Sequence, residues 1–376
     1  MKWRKDTNLY IAALIVGMLI FTLLTIYASS ATKKSESEIS ARAAVLYEPE
    51  TKAFLYEKNA DTRLSMASTT KIMTALVALE SSSLDELVEI DDSAIGTEGS
   101  SAYLKHGDVL TMEELLYALL LQSANDAAVA IACHVGGSVE GFAEMMNSRA
   151  NDMGLLQTNF TNPHGLDDKN HYTTARELAV IASEALKNDT FKTITSTYKK
   201  RFSSGERERN YVNHNKLLKK YSGCIGVKTG FTKKSGRCLV GAAEKEGLSF
   251  ITVTLDAPSD WSDHEKLLDL GFEALERVVL AEAHEFCYKL PVIGGSDASV
   301  TAENDEALSF ITKKESRDVV TNVKISRFAV APVKKGDILG EVVFTSDGEI
   351  LGSVKLKATG DVDKKEKESF LKKLFN

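Results

Sequence analysis

The sequence predicts an α+β domain built on antiparallel strands, followed by a small all-β domain. Three observations carry that expectation. Between about residues 66 and 187, apolar residues recur at helical spacing in separate runs. A β-rich stretch, "CIGVKTGFTKKSGRCLVGAAEKEGLSFITVTLDA", follows them. Beyond about residue 280 only short alternating runs remain.

Taken in order, the first segment lies outside the fold. "MKWRK" is a basic flank, Leu9 to Ala28 is an uncharged apolar run, and small residues precede a cut after Ala31. That is the layout of a secretory signal, and the run also approaches the roughly 20 residues a membrane span needs. Residues 1–31 therefore read as a signal peptide or an N-terminal membrane anchor. Either places the rest of the chain outside the cytoplasm, because the positive flank stays inside.

The main domain is expected over residues 38–278. "ARAAVLYEPETKAFLYEKNA" reads as a hairpin around "EPETK", and "MASTTKIMTALVALE" as an amphipathic helix from about Ala67. Residues 81–110 read as loop and short strand. "TMEELLYALLLQSANDAAVAIACHVGG" is helix, interruption, helix: Thr111 and Glu114 form a capping box, and Gly136–Gly137 stops the second helix. "SVEGFAEMMNSRANDMGL" is another helix, and "TTARELAVIASEALKN" a further one opened by Thr174 and Glu177. Three strands joined by tight turns come next, and "DHEKLLDLGFEALERVVL" closes the domain as a helix.

Residues 279–360 are expected to form the all-β domain. "EALSFITKK", "VVTNVKIS", "ILGEVVFT" and "EILGSVKLKA" alternate as strands, with "SDG" as the turn of the last hairpin. Residues 361–376 form a basic tail in which Phe370, Leu371, Leu374 and Phe375 share a short amphipathic face. It reads as a membrane-surface foot or as a solvated tail.

Composition narrows the function. At 376 residues, 43% hydrophobic and 26% charged, the chain is an ordinary globular protein long enough for two cores. A net charge of −7 argues against a nucleic-acid partner. The four cysteines, Cys133, Cys224, Cys238 and Cys287, show no regular spacing and read as free, mostly buried thiols. Cys224 and Cys238 flank a hairpin whose turn does not set them opposite one another. No Cys/His grouping has zinc spacing, and no metal or cofactor is implied.

The chemistry starts with a lysine in an apolar helix. Lys71 lies one turn after Ser68, on the face continuing through Ala75 and Ala78 or Leu79, so the hydroxyl and the amine meet. Serine becomes a nucleophile when a base removes its proton. Lysine is such a base when burial and a second cation depress its pKa. Ser-x-x-Lys alone is weak, since it begins at Ser30, Ser68, Ser196 and Ser369. Around Ser68 it gains ordered company: Ser123-Ala124-Asn125 interrupts a helix, and Lys228-Thr229-Gly230 follows on a strand whose small glycine would let a ligand backbone lie along the edge. This trio marks penicillin-binding proteins and class A β-lactamases.

With "ASTTKIMT", "LLLQSANDAA", "NPHGLDDKNHYTTARELA" and "GVKTGFT", the chain resembles serine-type D-alanyl-D-alanine carboxypeptidases, the low-molecular-mass penicillin-binding proteins of peptidase family S11. The resemblance runs from about residue 40 to about 360. It implies a β-lactamase/transpeptidase-like domain, an antiparallel sheet flanked by helices, then the family's C-terminal β-domain and membrane foot. It further implies that Ser68 attacks the carbonyl of the penultimate D-alanine of a peptidoglycan peptide while Lys71 takes its proton. The backbone N–H groups of Ser68 and Phe231 hold the oxyanion, Ser123 relays the proton to the leaving D-alanine, and Asn125 holds the substrate amide. Lys228, with Thr229, attracts the terminal carboxylate, and Gly230 is a substrate-binding residue of the same strand; β-lactams acylate the same serine.

One departure stands out. Where many members carry an arginine in the stretch matching "APSDWSDHEKLL", this chain has Asp260, so the anion site is expected to lean on Lys228 and Thr229. His164 and His171 are expected to fix a loop, with Asn162 and Gly165 as turn residues. Against class A β-lactamase stands the lack of a Glu-x-x-x-Asn after the SAN. An endopeptidase cutting cross-links is chemically close, and a non-catalytic wall-binding protein would be expected to have lost Ser68 or Lys71.

Overall fold

The computed structural model describes residues 39–204, 207–315 and 317–366. The export segment lies outside them, and so does most of the amphipathic tail. No helix among the described residues is long and apolar enough to cross a membrane.

A five-stranded antiparallel sheet organises the first domain, in the order β2-β1-β9-β8-β7. Its strands are β1 (Ala43–Glu48), β2 (Ala53–Lys58), β7 (Cys224–Thr232), β8 (Gly236–Lys245) and β9 (Leu248–Leu255). Every residue of β1 is buried. Because side chains alternate across a sheet, Ala43, Val45 and Tyr47 enter the larger core, while Ala44 and Leu46 enter a second one beneath the last helix. The expected hairpin and the three later strands are all present.

Helices cover both faces. On one side lie α1 (Lys71–Ser81), α2 (Met112–Leu121), α3 (Asn125–Gly136), α4 (Val139–Asp152), α5 (Ala175–Leu186) and α6 (Asp189–Ser196). A single turn, α7 (Leu217–Lys220), precedes β7, and α8 (Asp260–Ala274) packs on the opposite face. The expected caps form: Thr111 accepts the Glu114 N–H at 3.2 Å and Thr174 the Glu177 N–H at 3.1 Å. Gly137 ends α3 in the left-handed region, at φ 71°. Helix α1 departs from the amphipathic expectation. Residues 71–78 are buried on every side, because α2 to α6 all pack around it, as befits a helix that is apolar all round.

Two stretches read differently in the structure. Helix α8 ends at Ala274, and "LERVVL" forms β10 (Leu275–Ala281), which pairs with β13 (Leu308–Lys313). Apolar spacing ran on past the helix end, but Val278 and Val279 suit a paired strand. The expected boundary at 278/279 therefore falls inside a strand. Helix α6 and the hairpin of β5 (Lys199–Ser204) and β6 (Arg207–Val212) fall in a stretch for which the sequence predicts no element.

The second domain is a six-stranded sheet, ordered β14-β16-β17-β12-β11-β15, with the β10–β13 pair beside it. Strands β14 (Val320–Ile325), β16 (Ile338–Ser346) and β17 (Glu349–Ala358) match the expected runs. Asp347 (φ 50°) and Gly348 (φ 85°) turn the last hairpin, a two-residue connection of the left-handed type that suits twisted strands. Strands β11 (Cys287–Ile293), β12 (Ser299–Glu303) and β15 (Ala329–Val330) add to it. Val362 bridges Val333 and Lys364 bridges Gly295, so the start of the expected tail belongs to this domain. All four cysteines are free. Cys224 faces Ala243 and Cys238 faces Gly230, well apart along the β7–β8 hairpin. Only Cys238 is fully buried, and Cys287 is exposed, which narrows the expected burial.

Candidate active site

Three elements converge on an open cleft of about 380 Å³, lined by Ser68, Ser123, Thr229, Gly230 and Phe231. Ser68 sits in a 3-10 turn, Ala67–Thr70, that feeds directly into α1. Ala67 takes φ 48°, an uncommon conformation for a non-glycine residue. Around it, Thr69 Oγ1 donates to Met66 O at 2.5 Å and Thr70 Oγ1 to Ala67 O at 2.8 Å. The hydroxyls tie the turn to itself.

Lys71 is fully buried. Its Nζ lies 3.1 Å from Ser68 Oγ, 2.6 Å from Asn125 Oδ1 and 2.7 Å from the His164 carbonyl. Burial and the nearby Lys228 hold the amine well below the usual lysine range, and Asp126 opposes them. A depressed pKa and a serine in reach are the two requirements for a lysine base. Lys228 is buried too, and desolvation brings its pKa down to about 7; its Nζ donates to Thr229 O at 2.9 Å.

The loop carrying "NPHG" works through its backbone. Asn162 Oδ1 accepts the Gly165 N–H at 2.7 Å, folding a turn whose carbonyls point to α1. His164 O receives Lys71, and Pro163 O receives the Thr74 hydroxyl at 2.6 Å. Gly165 (φ 88°) is pressed against the nucleophile turn: a Cβ there would lie 1.9 Å from Ala67 O. His171 Nε2 lies 2.7 Å from Thr70 Oγ1, and its Nδ1 accepts the Thr161 N–H at 3.1 Å. Burial takes His164 to about 3 and His171 to about 4, so both rings are neutral near pH 7. The expected structural role fits this geometry. What sequence missed is the His164 carbonyl, since a main-chain acceptor leaves no side-chain signature.

Ser123 interrupts the α2–α3 run at φ 61°. Asn125 is more committed than expected. Its Oδ1 takes Lys71 and its Nδ2 donates to Glu98 O at 2.5 Å, which leaves one N–H of the amide for a ligand. Asp126 completes the motif. Its buried carboxylate accepts Ser101 Oγ at 2.6 Å and the N–H groups of Ala102 and Leu104 at 2.9 and 3.1 Å, which pins the loop bearing Ser100 to the cleft.

Gly230 has a packing reason for its size. A Cβ there would meet Ser68 N at 3.0 Å and Met66 O at 3.1 Å, so the glycine admits the nucleophile's own turn. Phe231 is 66% exposed at the cleft mouth. Arg237 also lines the cleft, paired with Asp260 at 3.0 Å. Only the register of the β7–β8 hairpin, which sets Arg237 opposite Phe231, brings it there.

A serine on a 3-10 turn, a buried lysine beside it and an edge strand closing the cleft define a serine acyl-transfer enzyme. The chain belongs to the D-alanyl-D-alanine carboxypeptidase family, whose profile matches residues 30–259. The penicillin-binding protein 5 C-terminal domain matches residues 276–364. D-alanyl-D-alanine carboxypeptidase DacF of Bacillus subtilis (strain 168) is 33% identical, over 96% of this chain and 97% of its own length. Among solved structures, penicillin binding protein 5 from Haemophilus influenzae superposes with TM-score 0.63 at 30% identity, covering 88% of this chain and 99% of that one. The Streptomyces K15 DD-transpeptidase gives TM-score 0.60 at 37% identity over 63% of this chain and 99% of its own.

Proposed function

We propose that this chain is a serine D-Ala-D-Ala carboxypeptidase acting on peptidoglycan stem peptides outside the cytoplasm, at the outer face of the cell membrane. One observation carries the reading: the fully buried Lys71 amine, its pKa held well below the usual lysine range by burial, lies 3.1 Å from the Ser68 hydroxyl.

The reaction follows from the placement. Neutral Lys71 takes the Ser68 proton as Oγ attacks the carbonyl of the penultimate D-alanine. Asn125 Oδ1 and the His164 carbonyl orient the ammonium that forms. The oxyanion develops between the N–H groups of Ser68 and Phe231, donors fixed before the reaction, each worth about 10²–10³ in rate. Ser123 hands the proton to the departing D-alanine nitrogen, and the remaining Asn125 N–H holds the substrate amide. Lys228 and Thr229 draw in the terminal carboxylate. Water then attacks the acyl-enzyme, Lys71 serving again as base, and Ser68 is regenerated. Penicillin acylates the same serine. The β-domain holds the catalytic domain near its wall substrate.

D-alanine release from a pentapeptide ending in D-Ala-D-Ala tests the reading. Wild-type protein should release it and Ser68→Ala should not; a folded wild-type protein that releases none refutes the activity.

A further inference from the structure

We infer that Arg237, held in place by Asp260, is the permanent cation that reads the substrate's terminal carboxylate at the outer end of the cleft. The inference deepens the carboxypeptidase reading and rests on it.

The pair is built into the cleft wall. Arg237 stands on β8 opposite Phe231, and both residues of the pair line the same cleft as Ser68 and Thr229. Asp260 is the rigid half. Its side chain is 5% exposed; Oδ1 accepts the Trp261 N–H at 2.9 Å and Oδ2 faces Arg237 Nη2 at 3.0 Å. The helix start that carries it is itself anchored. The Asp263 carboxylate accepts the Ser40 and Ala41 N–H groups, both at 3.0 Å, and the Ser40 hydroxyl at 2.7 Å. His264 lies between the hydroxyls of Thr252 and Thr254 at 2.6 and 3.0 Å.

Arg237 is the accessible half, 42% exposed. A guanidinium carries five N–H donors in a planar fork; among the described residues Asp260 is its one ion-pair partner, and the Trp261 ring centroid lies 5.9 Å from its Cζ. Enough donors remain for a two-point contact with a carboxylate, the geometry arginine favours. Asp260 neutralises part of the charge but fixes the fork, which lowers the ordering cost of binding. Lys228 makes a weaker permanent anion site. It is buried, its ammonium rests on Thr229 O, and a pKa of about 7 leaves it only partly charged at neutral pH. Position 260, where many family members carry an arginine, holds the acid, and β8 holds the arginine. Lys216 also lines the cleft and, like Arg237, lies 5.9 Å from the Trp261 ring centroid, but among the described residues no carboxylate holds it in place, so it provides the control.

The test compares kcat/KM on two peptides that differ only at the last group, a free carboxylate or its amide. Arg237→Ala should lose about 10- to 100-fold on the carboxylate peptide, mostly through KM. It should lose less than about threefold on the amide, the size of an ordinary surface change. Lys216→Ala should change both alike. Exchanging the charges, Arg237→Asp with Asp260→Arg, should recover about tenfold relative to Arg237→Asp alone. Equal losses on both peptides, or no loss on either, overturn the assignment. Wild-type protein that cleaves neither peptide refutes the carboxypeptidase reading itself, whereas the pattern across variants judges Arg237 alone.

Discussion

Gly165→Ala is the most exacting perturbation of this site, because it replaces no catalytic side chain. The added Cβ would lie 1.9 Å from Ala67 O and 2.8 Å from Thr70 Oγ1. Carbon atoms do not approach a carbonyl oxygen closer than about 3 Å, so one of the two turns must retreat by about 1 Å in an interior packed like a crystal. Overpacking of this kind costs about 1–3 kcal/mol, and an L side chain at φ 88° adds about 1–2 kcal/mol. Together they predict a loss of about 2–5 kcal/mol in unfolding free energy by urea titration. The retreat shifts the His164 carbonyl against Lys71 Nζ, now 2.7 Å away, or the Ser68 turn against β7. A misplacement of 1 Å at a reacting pair costs about 100-fold, so acylation of Ser68 by penicillin should slow by about that factor in protein that remains folded. Stability within about 0.5 kcal/mol of wild type, with unchanged acylation, would refute the packing argument.

Four further outcomes follow from the structure. The alkaline limb of kcat/KM should fall near pH 7, because free enzyme loses the Lys228 charge there and with it part of the attraction for the carboxylate. Lys228→Arg, which stays charged, should move that limb upward, and a limb that stays put assigns it elsewhere. No limb near pH 6.5 should arise from His164 or His171, both of which become charged only well below that. Asp126→Asn should cost about 2–4 kcal/mol by removing charge-assisted bonds to the loop at residues 101–104, and proteolysis should detect that loop first. Gly348→Ala, in the turn of the last β-hairpin at φ 85°, should destabilise by about 1–2 kcal/mol while leaving D-alanine release unchanged.

Residues that act through local spacing were legible before the structure. Ser68 and Lys71 are one helical turn apart, and Ser123-Ala124-Asn125 breaks a helix visibly. Thr111, Thr174 and Gly137 mark helix ends by their own chemistry. What stayed hidden depended on packing between distant segments. Asn125 reaches Lys71 only because α3 starts beside α1, and the His164 carbonyl depends on a turn that Asn162 folds. Arg237 required the exact strand register rather than the presence of a hairpin. In the β-domain, strand β11 carries Pro291. The strand tolerates it because β15 pairs only from Val292 onward, so no partner there needs the missing N–H. Gly230 meets the Ser68 turn through the same kind of long-range packing.

The central claim is that Lys71 works as a neutral base, and Lys71→Arg addresses it most directly. Arginine keeps the positive charge but does not deprotonate in a protein. Intact-protein mass after timed exposure to penicillin gives the acylation rate at Ser68, with circular dichroism confirming the fold. The account predicts acylation slowed by about 10²–10⁴-fold, the usual worth of a general base. Folded Lys71→Arg protein that acylates within about tenfold of wild type would contradict it.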